Sequence, residues 1–327
     1  MPTAESKPSD AELLFLPDSA ELRFLPEGPT ATAPGKFSWV AIQHGPQATR
    51  GSLNLFDISS NTNRSFELPG RPGFAKPTTT EGVFVVGCER ELGIFDTRNV
   101  TWQPFAKGID AGVEGTIIND GTLYGDNILF GTKDLEFKTK KAGLYLYRGR
   151  DRKLVQLRSD QICSNGKFVF DAGAGQLQLI DIDSPTRKVV RYQLDLEAGK
   201  LSAAETLIDL TSLDGVPDGM TATADFKSVI ISFYNPNPAE FGETRQYDLS
   251  TGQLQTTWRT WHSPQATCPV LLPMPDGSVK LIITTAVEHM PAERQHLSSN
   301  AGGLFIADTP FQSAPSLSPW PSPERKE

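Results

Sequence analysis

The sequence predicts an all-β fold, a six-bladed β-propeller, from three observations. Helical signals are scarce, because 28 Gly and 25 Pro interrupt the 327 residues at short intervals. Short β-prone segments alternate with polar turns, as at Phe37–Ile42, Gly82–Val86, Asn127–Phe130, Lys167–Phe170, Ser228–Tyr234 and Val279–Ile283. One pattern then recurs six times: an alternating apolar strand closed by a polar or acidic turn. Its copies are Gly51–Asp57, Leu92–Asp96, Gly143–Tyr147, Val190–Asp195, Thr244–Asp248 and Gly303–Asp308. Their mean spacing is about 50 residues, the length of a propeller blade. A lone four-stranded blade leaves both faces wet, and a ring of six buries each blade against the next.

The ends of the chain fit the same frame. Glu12–Leu16 and Glu21–Leu25 read as strands ahead of the first full repeat, and one of them can complete the last blade. Residues 1–11 are polar and read as disordered, and residues 12–308 as the propeller. Residues 309–327, rich in Pro and Ser, read as a disordered tail with no core to bury.

Composition removes several function classes. Lys and Arg number 31 against 39 Asp and Glu, a formal net charge of -8. Phosphate affinity rests on clustered cations, so a nucleic-acid or anionic-membrane partner is not expected. No apolar run reaches the roughly 18 residues of a membrane span. Met1–Asp10 has no apolar core of a secretory signal, and Cys88, Cys163 and Cys268 are isolated, so a reducing cytoplasm is the expected compartment. A propeller has protected edges, so a monomer or weak dimer is expected.

Familiar catalytic motifs are missing. There is no Gly-x-Ser-x-Gly, no phosphate-binding loop and no His-Glu-x-x-His. Gly173-Ala-Gly175 meets Gln178 where a dinucleotide fingerprint needs glycine. His44, His262, His289 and His296 have no metal-ligand spacing.

What remains is a set of four short segments that put an acid or amide beside glycine: Glu27-Gly28, Asn119-Asp120-Gly121, Asn165-Gly166 and Asp218-Gly219. Such pairs are common turn dipeptides, and a set of turn-capping side chains is one reading. The other follows from their placement near the starts of different repeats, which a propeller gathers at one mouth of its central channel. Glu27, Asn165 and Asp218 then offer carboxylate and amide oxygens from three blades. That set suits a hard divalent cation.

These segments resemble the senescence-marker-protein/gluconolactonase/luciferin-regenerating-enzyme family. Pro217–Met220, Ser232–Asn235 and Tyr247–Gly252 match best, then Ser164–Gly166 with Ile182–Ser184, then Glu27–Pro29 and Asn119–Gly121. The likeness runs in order from about residue 20 to 308. It implies a six-bladed propeller with one divalent metal (Ca²⁺, Zn²⁺, Mn²⁺ or Mg²⁺) at the channel mouth. It places the metal ligands at Glu27, Asn165 and Asp218 and substrate contacts at Asn119 and Asp120. Several departures accompany it. Ile117 stands where the family often has a sugar-binding arginine. Thr30–Pro34 lacks the usual aromatic residue, and Cys268–Leu272 lacks a usual glycine pair. The segment Lys133–Lys141 has no counterpart of the lid glutamate found in some members.

The expected function is metal-dependent hydrolysis of a small lactone. The metal would polarise the carbonyl, and Asp218 would accept the proton of the attacking water. The alternatives are a non-catalytic metal- or ligand-binding propeller, and a related esterase or phosphotriesterase.

Overall fold

The computed structural model describes residues 7–316 and 318–321. A first strand, β1 (Ser9–Phe15), leads to a short helix, α1 (Ala20–Phe24). The first sheet holds β2 (Pro26–Ala33), β3 (Lys36–Ala41), β4 (Ser52–Asp57) and β5 (Thr62–Glu67). The second holds β6 (Pro72–Pro77), β7 (Val83–Cys88), β8 (Glu91–Asp96) and β9 (Thr101–Ala106). The third holds β10 (Thr116–Tyr124), β11 (Asn127–Asp134), β12 (Ala142–Arg148) and β13 (Lys153–Gln161). The fourth holds β14 (Ser164–Asp171), β15 (Leu177–Asp183) and β16 (Lys188–Asp195), with β17 (Lys200–Leu201) and β18 (Glu205–Asp209) both paired to β16.

The remaining strands are β19 (Val216–Ala222), β20 (Ser228–Tyr234), β21 (Phe241–Asp248), β22 (Leu254–Trp261), β23 (Ala266–Pro273), β24 (Val279–Thr285) and β25 (Leu304–Asp308). With β1 they form one eight-stranded sheet in the order β19-β20-β21-β22-β1-β25-β24-β23. The sequence predicts six separate blades, and hydrogen bonding gives five sheets. The reason is β1. Ser9–Ala11 pair in parallel with Trp258–Thr260, and Glu12–Phe15 pair antiparallel with Leu304–Ile306. One strand thus satisfies the outer edges of two neighbours, which would otherwise expose unpaired N–H and C=O groups.

The fold is all-β and propeller-like. The six copies of the sequence repeat fall on β4, β8, β12, β16, β21 and β25, each the third strand of an antiparallel run. Apolar clusters fill the spaces between successive runs. Val40 and Leu53 of the first sheet meet Phe84 and Val86 of the second, and Phe74 and Val85 meet Ile128 and Phe130 of the third. At the far end of the chain Val270, Leu272 and Ile282 pack back onto Phe37, Trp39 and Phe56. Burying one such large side chain stabilises the fold by roughly 1.5–3 kcal/mol.

Three expectations at the ends are corrected. Glu21–Leu25, read as a strand, lies mostly in α1. The Ser19 hydroxyl accepts the Glu21 N–H at 3.2 Å, and the Arg23 guanidinium donates to Ala301 O at 2.8 and 2.9 Å. Ser9–Ala11, placed in a disordered terminus, belong to β1. The tail after 308 does bury side chains. Phe311 packs against the last apolar cluster, and Trp320 is 7% exposed and stacks on Phe105 at 5.5 Å. Trp320 N–H donates to Pro77 O at 3.0 Å and its indole N–H to Asp126 O at 2.9 Å. The rest of both expected disordered ends, residues 1–6, 317 and 322–327, lies outside the described residues.

Candidate active site in the central ring

The strands that open the six runs, β2, β6, β10, β14, β19 and β23, contact one another in succession, and β23 returns to β2. The ring is closed by backbone as well as side chains: the Thr267 hydroxyl donates to Pro26 O at 2.7 Å. Close approach requires residues without a Cβ. A Cβ on Gly73 would lie 2.0 Å from Asn119 O, and one on Gly166 would lie 2.6 Å from Met220 N.

Each of these strands slips register against its neighbour, and β2 does so a second time between Ala31 and Ala33. The other slips fall between Glu27 and Thr30, Pro72 and Phe74, Ile118 and Gly121, Ser164 and Lys167, Pro217 and Met220, and Ala266 and Pro269. The acid–glycine and amide–glycine segments are therefore bulges within strands, and the turn reading is corrected. A bulge bends the strand and re-aims the extra side chain, here around the ring axis. Two bulges keep a capping contact of their own: Glu27 Oε2 accepts the Gly28 N–H at 2.8 Å and Asp120 Oδ1 the Gly121 N–H at 2.7 Å.

Asn119 and Asn165 meet directly. Asn119 Nδ2 donates to Asn165 Oδ1 at 2.9 Å and to Ser164 O at 3.0 Å. Asn165 Nδ2 donates to Ser184 Oγ at 2.8 Å. These donors fix the amide orientations, and no described residue donates to Asn119 Oδ1. The Ser184 contact comes from the Ile182–Ser184 segment, which the sequence pairs with Ser164–Gly166.

Glu27 and Asp218 are buried, at 9% and 8% exposure. Burial pushes the Glu27 carboxyl up to about 8; the nearby Asp120 and Glu288 charges add to this, while the Gly28 N–H and Lys133 oppose it. Burial also lifts Asp218 well above its ordinary range, with Glu27 as the largest charge acting on it and Asp120 and Glu288 behind it. Glu27 and Asp218 thus face the same space with too little positive charge to hold both ionised. Asp120 additionally lines a cavity of about 390 Å³ beyond the bulges, together with Thr30, Lys76 and Lys167.

The ring offers oxygen donors: two carboxylates and two amide oxygens. Among the described residues no three His, Cys, Asp or Glu side chains lie close enough to share a metal, so a metal here needs the amide of Asn165 beside the two carboxylates. That donor set fits a hard divalent cation, whose charge would relieve the repulsion between Glu27 and Asp218. Cys163 and Cys268 also reach the ring, but burial raises both thiols well above their ordinary range, which keeps them protonated.

Four ring residues escape sequence reading. Glu288 and Lys133 act electrostatically on both Glu27 and Asp218. Tyr234 Oη and Gln265 Nε2 both donate to Glu288 O and hold that loop over the ring. A charged residue closing an otherwise alternating strand was the available sign for Lys133; Glu288, in a loop, gave none.

Comparison with known proteins identifies the family. Residues 25–287 match the model of the SMP-30/Gluconolactonase/LRE-like region. An uncharacterised protein of Sulfolobus acidocaldarius is 40% identical over 194 residues, which are 56% of this chain and 68% of that protein. A Bacillus subtilis protein with the provisional name sugar lactone lactonase YvrE is 28% identical over 277 residues, 84% of this chain and 87% of that one. The structure of a calcium-binding protein, regucalcin, from Agrobacterium tumefaciens superposes with a TM-score of 0.79 at 21% identity, covering 97% of this chain and 99% of that one. With the family model spanning most of its length, this chain belongs to the SMP-30/gluconolactonase/LRE-like family.

Proposed function

We propose that this protein is a divalent-metal-dependent hydrolase of a small lactone, with the cation held by Glu27, Asn165 and Asp218. The observation that carries the reading is the facing pair of buried carboxyls, Glu27 and Asp218, beside an amide oxygen fixed by Ser184. Its family and its likeness to YvrE support the lactone. We read the eight-stranded sheet as two blades joined through β1, which makes the ring a six-bladed propeller with one channel. A bound divalent cation, Ca²⁺, Mg²⁺, Mn²⁺ or Zn²⁺, supplies Lewis acidity toward the ring carbonyl. Asp218, ionised once a cation shares its site, would accept the proton of the attacking water. Asn119, anchored through its Nδ2, presents its Oδ1 to a substrate hydroxyl. Asp120 adds a second polar contact from the same bulge.

The test is acid release from aldonolactones and simple γ- and δ-lactones by metal-stripped protein, with each metal added in turn. Metal-dependent release that is lost in Asp218→Ala is the expected result. No release with any metal, alongside thermal stabilisation by one, contradicts hydrolysis and leaves a binding site.

A further inference from the structure

Lys133 occupies a place in the ring that the lactone reading leaves without a role. It stands on β11 directly opposite Ile117, two residues before Asn119. On its other side it bridges Cys163, two residues before Asn165. Its backbone is thus held between the strands carrying the two site amides. The next residue, Asp134, fixes the chain there by accepting the N–H groups of Glu136, Lys138 and Thr139 at 3.1, 3.1 and 2.8 Å.

The Lys133 ammonium acts on Glu27, Asp218 and Cys163, which belong to three separate parts of the ring wall. Yet among the described residues it makes no ion pair within 4.0 Å and no side-chain hydrogen bond. Its neighbours differ: Lys141 pairs with Asp134 at 3.0 Å and Lys138 with Glu136 at 3.8 Å. The other acids of the mouth are engaged or remote. Asp120 is bound to the Gly121 N–H, and Glu288 stands on the loop held by Tyr234 and Gln265. A divalent cation between Glu27 and Asp218 neutralises the two charges Lys133 faces. It then leaves the half-buried Lys133, its backbone fixed, with no anion of its own among the described residues.

We propose that Lys133 is the substrate-reading cation of this site, and that it selects a lactone carrying a second ionised group, a carboxylate or a phosphate. This rests on the lactone reading of the ring. A neutral aldonolactone would leave the ammonium unpaired, whereas an anionic substituent would meet it in a charge-assisted contact. The cross-strand partner of Lys133 is the uncharged Ile117.

The experiment is calorimetric binding of open-chain acids to the full chain in Ca²⁺ or Mn²⁺. The probes are gluconate, glucarate and 6-phosphogluconate, which share a backbone and differ in the terminal group. We expect glucarate or 6-phosphogluconate to bind at least about tenfold tighter than gluconate, and the better of the two identifies carboxylate or phosphate. Lys133→Met should erase the preference, Lys133→Arg should keep most of it, and Lys138→Met on the loop that follows β11 should keep all of it. Equal affinity for the three acids, or a preference that survives Lys133→Met, overturns the proposal. Binding requires no turnover, so the two readings fail separately. Lactone hydrolysis without an anion preference defeats only the role of Lys133. A Lys133-dependent preference without hydrolysis defeats only the lactonase.

Discussion

Asp134 and Glu27 are both buried carboxylates beside the ring, and their surroundings drive them in opposite directions. Burial pushes Asp134 up, but three backbone N–H groups and Lys141 outweigh it and bring the carboxyl down to about 2. Burial lifts the Glu27 carboxyl, the Asp120 and Glu288 charges add to the rise, and the single N–H of Gly28 with Lys133 does not offset them, so it reaches about 8. The protein fully satisfies the acid that shapes a loop. It leaves the acids of the ring short of positive charge, which is the arrangement a cation-binding centre needs before its ion arrives. The contrast separates a fully satisfied charge from an unsatisfied pair within one small region.

The largest effect should come from removing the shared acid of the ring. Asp218→Ala should lower lactone hydrolysis by about 10²- to 10³-fold or more, measured by proton release, while far-ultraviolet circular dichroism stays that of the wild type. A comparable loss of activity in Asp134→Asn with its fold intact would break the contrast.

Stability against pH should then show the two acids with opposite signs. Below its ordinary value of 4.5, Glu27 is protonated in both folded and unfolded chains. Between 4.5 and about 8 the folded chain keeps a proton that the unfolded chain releases, so stability of the metal-free protein falls as pH rises. Asp218 acts in the same direction. Melting temperatures measured from pH 5 to 9 should decline without metal, and Glu27→Gln with Asp218→Asn should flatten the decline. A profile that rises over this range contradicts the account.

Asp134 works the other way. Its stabilisation is complete above 3.8 and is lost as pH falls through about 2. A shift of this size corresponds to about 2 kcal/mol at neutral pH. Asp134→Asn should therefore lower urea stability by about that amount at pH 7 and leave metal affinity unchanged. The smallest effect is expected at Ser184. Ser184→Ala removes the acceptor that orients Asn165 and should weaken metal binding about tenfold, as read by calorimetry.

The ring side of this contrast was legible in the sequence and the Asp134 side was not, and the reasons differ by residue. The third strands, such as Leu92–Asp96 and Gly303–Asp308, announce themselves because alternation and a closing turn are local. Glu27, Asn119, Asn165 and Asp218 were found through their glycines, and all four do lie on ring strands. Their conformation was not legible. An Asn-Gly or Asp-Gly pair reads as a turn locally, whereas here the neighbouring strand imposes a bulge. Glu21–Leu25 alternates like a strand, yet the Ser19 cap and the docking of Arg23 on Ala301 turn it into a helix. Trp320 looked like part of an unstructured tail because its partners, Phe105, Pro77 and Asp126, are about 200 residues away or more in sequence. Lys133 was hidden for the same reason, since its surroundings come from β2, β19 and Cys163 just ahead of β14.

The central claim is that one divalent cation is shared by Glu27, Asn165 and Asp218. The most direct test titrates metal-stripped protein with Ca²⁺, Mg²⁺, Mn²⁺ and Zn²⁺ in a calorimeter at pH 7, in two buffers of different ionisation enthalpy. The account predicts a single site, proton release on binding because the two carboxyls are held protonated without metal, and loss of the site in Glu27→Gln and Asp218→Asn. Absence of binding by all four ions, or binding that both variants retain, would contradict it.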